Sequence, residues 1–183
     1  MLMIKLFDTE KARLNGLSGV FVLAVLIASC VGLSFVLLHN PYKNLQQQIF
    51  KTADRVRNYY RDRPGYWKLS TESAKQDNLL RSDLLQYKEY DFQIGQGIDG
   101  TFSLPSNLTF DLSVKHLNKS ACVSLSEMPL DSNAKLSLVK ISIINQQNEV
   151  EFTWGGEHSL PIEKYSARNF CQPQENIIIW TFQ

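Results

Sequence analysis

The chain has 183 residues, with 19 Lys and Arg against 18 Asp and Glu, a net charge of +1, 44% hydrophobic residues and 3 Cys. That length suits one domain with a modest core and excludes two ordinary domains beside a membrane segment. A near-neutral balance without a dense Lys/Arg block leaves no electrostatic footprint for nucleic acid, and 11% aromatic residues can bury enough surface to exclude a disordered chain.

Residues 1–16, MLMIKLFDTEKARLNG, form a short leader of mixed charge, and residues 17–38 follow as LSGVFVLAVLIASCVGLSFVLL without a single charged residue. As a helix rising about 1.5 Å per residue, this run extends roughly 33 Å, enough for a hydrocarbon core of about 30 Å. It is predicted to span a membrane, N-terminus inside, because the short leader is the flank more easily kept in the cytoplasm. The competing reading is a cleaved secretory signal. Against it, the apolar core exceeds the usual run of roughly 7 to 15 residues, and the chain continues through His39-Asn40-Pro41 with no Ala-x-Ala site.

Over residues 39–63 the pattern becomes amphipathic: Leu45, Ile49, Phe50, Ala53, Val56 and Tyr60 recur every three or four positions and make one apolar stripe. Pro41 starts a new helix or kinks a continuous one, and Arg63-Pro64-Gly65 stops it. Residues 66–91 read as a connection with a short helix around Leu79, Leu80, Leu84 and Leu85. From Phe92 the texture is β. Strands are predicted over 101–104, 108–114, 136–144, 150–154 and 176–182, with Asn145-Gln146-Gln147-Asn148 as a turn. The economical class is α+β, an antiparallel sheet of four to six strands over residues 64–183, packed on the helical stem.

Cys30 lies in the apolar run and reads as a small hydrophobe. Cys122 and Cys171 remain, and an even pair in an exported domain points to a disulfide. The alternative is a metal, but neither has a C-x-x-C partner and the three His show no ligand spacing. No G-x-S-x-G, G-x-x-x-x-G-K or H-E-x-x-H occurs, so no enzymatic chemistry and no cofactor are expected. Gly95-Gln96-Gly97-Ile98-Asp99-Gly100 leads into a strand-like stretch instead of a helix, and reads as a bend. Trp154, with Glu157 and His158, forms either a ligand-contacting loop tip or a hairpin turn whose Trp belongs to the core.

Together, the leader ending near Gly16 or Gly19, the uncharged run, the amphipathic continuation, Gly97 leading to Phe102, Ser120-Ala121-Cys122 after a strand, and Cys171 before the last strand resemble a bacterial type IV pilin. The likeness is to the type IVb branch and its conjugative-pilus relatives. This resemblance implies a prepilin peptidase cutting before Leu17 or Val20, and a filament core built from helix positions such as Val22, Val25, Leu26, Phe35, Leu45, Ile49 and Phe50. The partners it implies are other pilin subunits, the inner membrane, the pilus assembly platform and a host or surface receptor.

Members of that family carry Glu as the fifth mature residue. Cutting after Gly16 puts Phe21 there, and cutting after Gly19 puts Ala24. The resemblance implies that this Glu neutralises the N-terminal amine of the next subunit in the filament, and an unpaired charge in apolar surroundings is costly. The departure implies a minor, tip or assembly-priming subunit. Competing readings are an unprocessed single-span envelope scaffold and a membrane-tethered hydrolase.

Overall fold

The computed structural model describes residues 42–97, 106–127 and 137–183. The expected span over 17–38, the cleavage candidates Gly16, Leu17, Gly19 and Val20, the helix positions Val22, Val25, Leu26 and Phe35, and the strand expected over 101–104 lie outside these residues. Among the described residues no helix is long and apolar enough to cross a membrane.

The amphipathic stripe forms helix α1, Lys43–Tyr60. Its inward face is Leu45, Gln46, Ile49, Thr52, Ala53, Val56 and Tyr60, the three-to-four spacing that puts side chains on one side of a helix. Gly65 ends this region at φ +134, and a Cβ there would meet the carbonyl oxygen of Asn107, so the position accepts only glycine without strain.

The connection contains two short helices, α2 (Thr71–Gln76) and α3 (Ser82–Leu85). A capping box at Ser70 and Ser73 starts α2. The aliphatic cluster is split: Leu79, Leu80 and Leu84 are buried, whereas Leu85 is exposed. Arg55 of α1 ties this region down, donating through Nη1 to the carbonyl of Leu79 at 3.2 Å.

Among the described residues the remaining elements are β1 (Asp91–Gln96), a 3-10 turn (Ser106–Leu108) where the sequence suggests a strand from 108, β2 (Phe110–Leu117), α4 (Lys119–Ser126), β3 (Leu138–Ile144), β4 (Glu149–Thr153), α5 (Lys164–Phe170) and β5 (Asn176–Phe182). The five strands make one antiparallel sheet in the order β1-β2-β5-β3-β4. The fold is therefore α+β. Register aligns the inward side chains in rows: Ile94, Leu112, Trp180, Ile141 and Phe152 lie side by side, and Phe92, Val114, Ile178, Ile143 and Val150 form the next. All ten are buried, each contributing roughly 1.5 to 3 kcal/mol relative to exposure. Helix α1 joins this core through Phe50, whose ring meets Phe182 edge-on at 6.3 Å.

Differences from the sequence reading have local causes. Gly95, read as part of a bend, lies inside β1, and Gly97 continues the pairing by donating to the Thr109 carbonyl at 2.9 Å. A Cβ on Gly97 would collide with the Thr109 side chain, so this glycine serves close approach of two strands. Helix α5 had no expectation; its one buried side chain is Ala167, too little to make a periodic pattern. The four-residue turn between β3 and β4 is as expected: the Asn145 side-chain oxygen accepts from the backbone of Gln147 and Asn148.

Candidate functional site

Three places carry the residues singled out from the sequence: the α1 stem, the disulfide and the loop after β4. On α1, Leu45 and Ile49 are wholly buried in the head's own core. These two are therefore committed to the core within the chain. Phe50 is half-buried and touches Phe182. Gln46, also on the inward face, donates to the Ser124 carbonyl at 2.6 Å and joins α1 to α4.

The aromatic residues around the helix stop continue into the sheet. Tyr60 meets Tyr66 at 5.3 Å, Tyr66 meets Phe110 at 4.7 Å, and Phe110 stacks on Phe182 at 5.3 Å. Burial raises the Tyr60 and Tyr66 phenols above their ordinary range, opposed by Arg63 and Arg57 respectively. These rings anchor the lower stem to the sheet, while Trp67 beside them stays 57% exposed.

Cys122 in α4 and Cys171 at the end of α5 form a disulfide, with Cα atoms 5.9 Å apart and both residues buried. Next to it, Asn176 does work that its sequence position did not announce. Its side chain is fully buried, donates to the carbonyls of Leu117 and Gln172 at 2.8 Å each, and accepts from the Gln172 backbone at 2.7 Å. The signal available in sequence was a polar residue opening an otherwise apolar strand.

In the loop after β4, Gly155 turns the chain at φ +74. Trp154 is half-buried against the core and its indole N–H donates to the Leu138 carbonyl at 2.7 Å. His158 sits between Phe152 and Phe170, with ring centroids at 5.5 and 5.2 Å. Glu157 is exposed. Trp154 is thus turned toward the core, His158 packs between two phenylalanines and Glu157 faces outward.

Both edges of the sheet are partly covered. On β1, the Thr71 hydroxyl accepts from the Ile94 backbone at 3.0 Å, and Gln96 N–H donates to the Leu69 carbonyl at 3.2 Å. On β4, Thr153 N–H donates to the His158 carbonyl at 3.0 Å and its own carbonyl accepts from Leu160 at 3.1 Å. The exposed remainder of β4 carries Glu149 and Glu151, charges that discourage strand addition. Among the described residues no group of three or more His, Cys, Asp and Glu is placed to hold a metal ion. Compared with known proteins, the chain matches no family model and no curated sequence.

Proposed function

We propose that this chain is a structural subunit of a bacterial type IV pilus or related filament, a minor, tip or assembly-priming pilin held in the inner membrane before incorporation. The observation that carries the reading is α1. It follows the uncharged run 17–38 with only a few residues between, and its inward face belongs to the core of a disulfide-tied antiparallel head. One chain thus couples an apolar stem, soluble among lipid tails, to a head suited to water. The blunted edges of the sheet support growth through helix contacts in preference to strand pairing.

In this role the stem leaves lipid for a bundle of like stems, an exchange between two apolar surroundings that packing can decide. Phe21 or Ala24 at the fifth mature position removes the carboxylate that repeated stacking would use, which supports an end position in the filament over a repeating one. Its partners are other pilin subunits, the prepilin peptidase and the assembly platform. The same missing acid favours a second reading, an unprocessed envelope scaffold.

Mass spectrometry of the N-terminus of the protein recovered from membranes tests the proposal. A start at Leu17 or Val20 is expected. An intact Met1 in the assembled complex transfers the case to the scaffold, and a soluble product cut beyond residue 38 defeats both readings.

A further inference from the structure

The last turn of α1, the loop after it and Leu108 enclose an open cavity of about 390 Å³. Three guanidinium groups line it, from Arg57, Arg61 and Arg63, against the Asp54 side chain and Gln183, whose main-chain carboxylate ends the chain. None is tightly neutralised there. Arg57 approaches Asp54 only to 3.8 Å, Arg61 donates to the neutral side-chain oxygen of Asn58, and Arg63 lies over the Tyr59 and Tyr60 rings at 4.1 and 5.0 Å. Among the described residues, neither Arg61 nor Arg63 has an acidic side chain within ion-pair reach.

Basic residues at a helix C-terminus often serve only to offset its partial negative charge, about half an elementary charge. One arginine suffices for that, and three against Asp54 and the main-chain carboxylate of Gln183 still leave a positive balance. The guanidiniums are also pre-oriented, Arg63 by its aromatic stack and Arg61 by its bond to Asn58, so less side-chain freedom is lost on binding. The planar fork of a guanidinium matches two oxygens of a carboxylate or phosphate. The volume lies in the range of roughly 300 to 1,000 Å³ common for small-molecule sites.

We propose that this cavity binds a small ligand bearing a carboxylate or phosphate group, gripped by Arg57, Arg61 and Arg63. The site belongs to the head alone and does not rest on the pilin reading. The test is NMR of the arginine Nε–H groups in the full chain in nonionic detergent, titrated at constant ionic strength with glucuronate, inorganic phosphate and, as a neutral control, glucose. Saturable shifts of the three arginines with an anion and none with glucose are expected; glucuronate acting alone assigns a carboxylate source, and phosphate acting alone a phosphate source. The pair Arg61→Gln with Arg63→Gln is expected to weaken binding about tenfold or more, whereas Lys164→Gln, on the exposed side of α5, leaves it unchanged. No saturable shift with either anion, an equal response to glucose, or equal affinity in the double variant overturns the site.

Discussion

Asn176 acts as a piece of backbone supplied by a side chain. Its amide completes three main-chain groups where the disulfide loop meets the ends of β2 and β5, and no water-facing alternative exists for a residue that is fully buried. Asn176→Ala leaves those groups unmatched at a cost of roughly 1 to 3 kcal/mol each before relaxation, so a loss of about 3 kcal/mol is expected. A urea midpoint within error of the parent would show that the bridge is dispensable. Asn118, by contrast, is exposed and acts locally, its side-chain oxygen capping α4 by accepting from the Ala121 N–H at 2.9 Å. The role of Asn176 escapes a linear reading because one partner of its buried amide, Leu117, lies in a distant chain segment.

At the scale of elements, α1 was legible because its burial pattern is periodic within a few turns, and its stop was legible at Pro64-Gly65. β5 was legible for a similar reason: residues 176–182 are almost all β-branched or aromatic, and the observed strand is Asn176–Phe182. What periodicity left undecided is whom the stripe on α1 faces. Ile49→Ala empties a site in the head core and is expected to cost about 2 to 5 kcal/mol, whereas Gln47→Ala, on the exposed side, should stay within about 0.5 kcal/mol of the parent. Unfolding followed by tryptophan fluorescence separates these outcomes, since Trp180 lies in the same core. Equal, small effects would mean that the stem is not held by the head. The β texture was legible from Phe92, but the extent of β1 was not, because two glycines at its end look like a turn until Thr109 is seen to occupy the space beside Gly97.

For the whole molecule, the disulfide closes a loop of 49 residues in sequence separation. In the loop-entropy description, that restrains the unfolded chain by about 4 kcal/mol. The double variant Cys122→Ser with Cys171→Ser is expected to lose a large part of that amount, and a denaturation midpoint insensitive to reductant would refute it. Alkaline pH addresses the same core from another side. Burial, then the charges of Tyr42 and Glu89 and the hydrogen bond its neutral hydroxyl makes with Tyr42, push the Tyr90 phenol up to about 12, and burial also raises Tyr60 and Tyr66. A phenol whose folded pKa lies above its unfolded value of about 10 favours the fold below pH 10 and withdraws that support as pH rises toward 12. Circular dichroism and phenolate absorbance measured together should therefore show loss of structure accompanying the late-titrating tyrosines. A single phenolate step near pH 10 with unchanged dichroism would contradict this.

The sequence by itself determined the α+β class, the position of α1 and its apolar face, the extent of β5, the turn at residues 145–148 and the pairing of Cys122 with Cys171. Each follows from short-range pattern, or from a choice among very few partners. Only the tertiary structure decided that β5 lies between β2 and β3, that Trp154 turns inward, that Asn176 bridges two segments and that three arginines share one cavity. Those arrangements join residues far apart in the chain, where burial and hydrogen-bond completion, acting over the whole core, select among pairings that local propensity leaves equal.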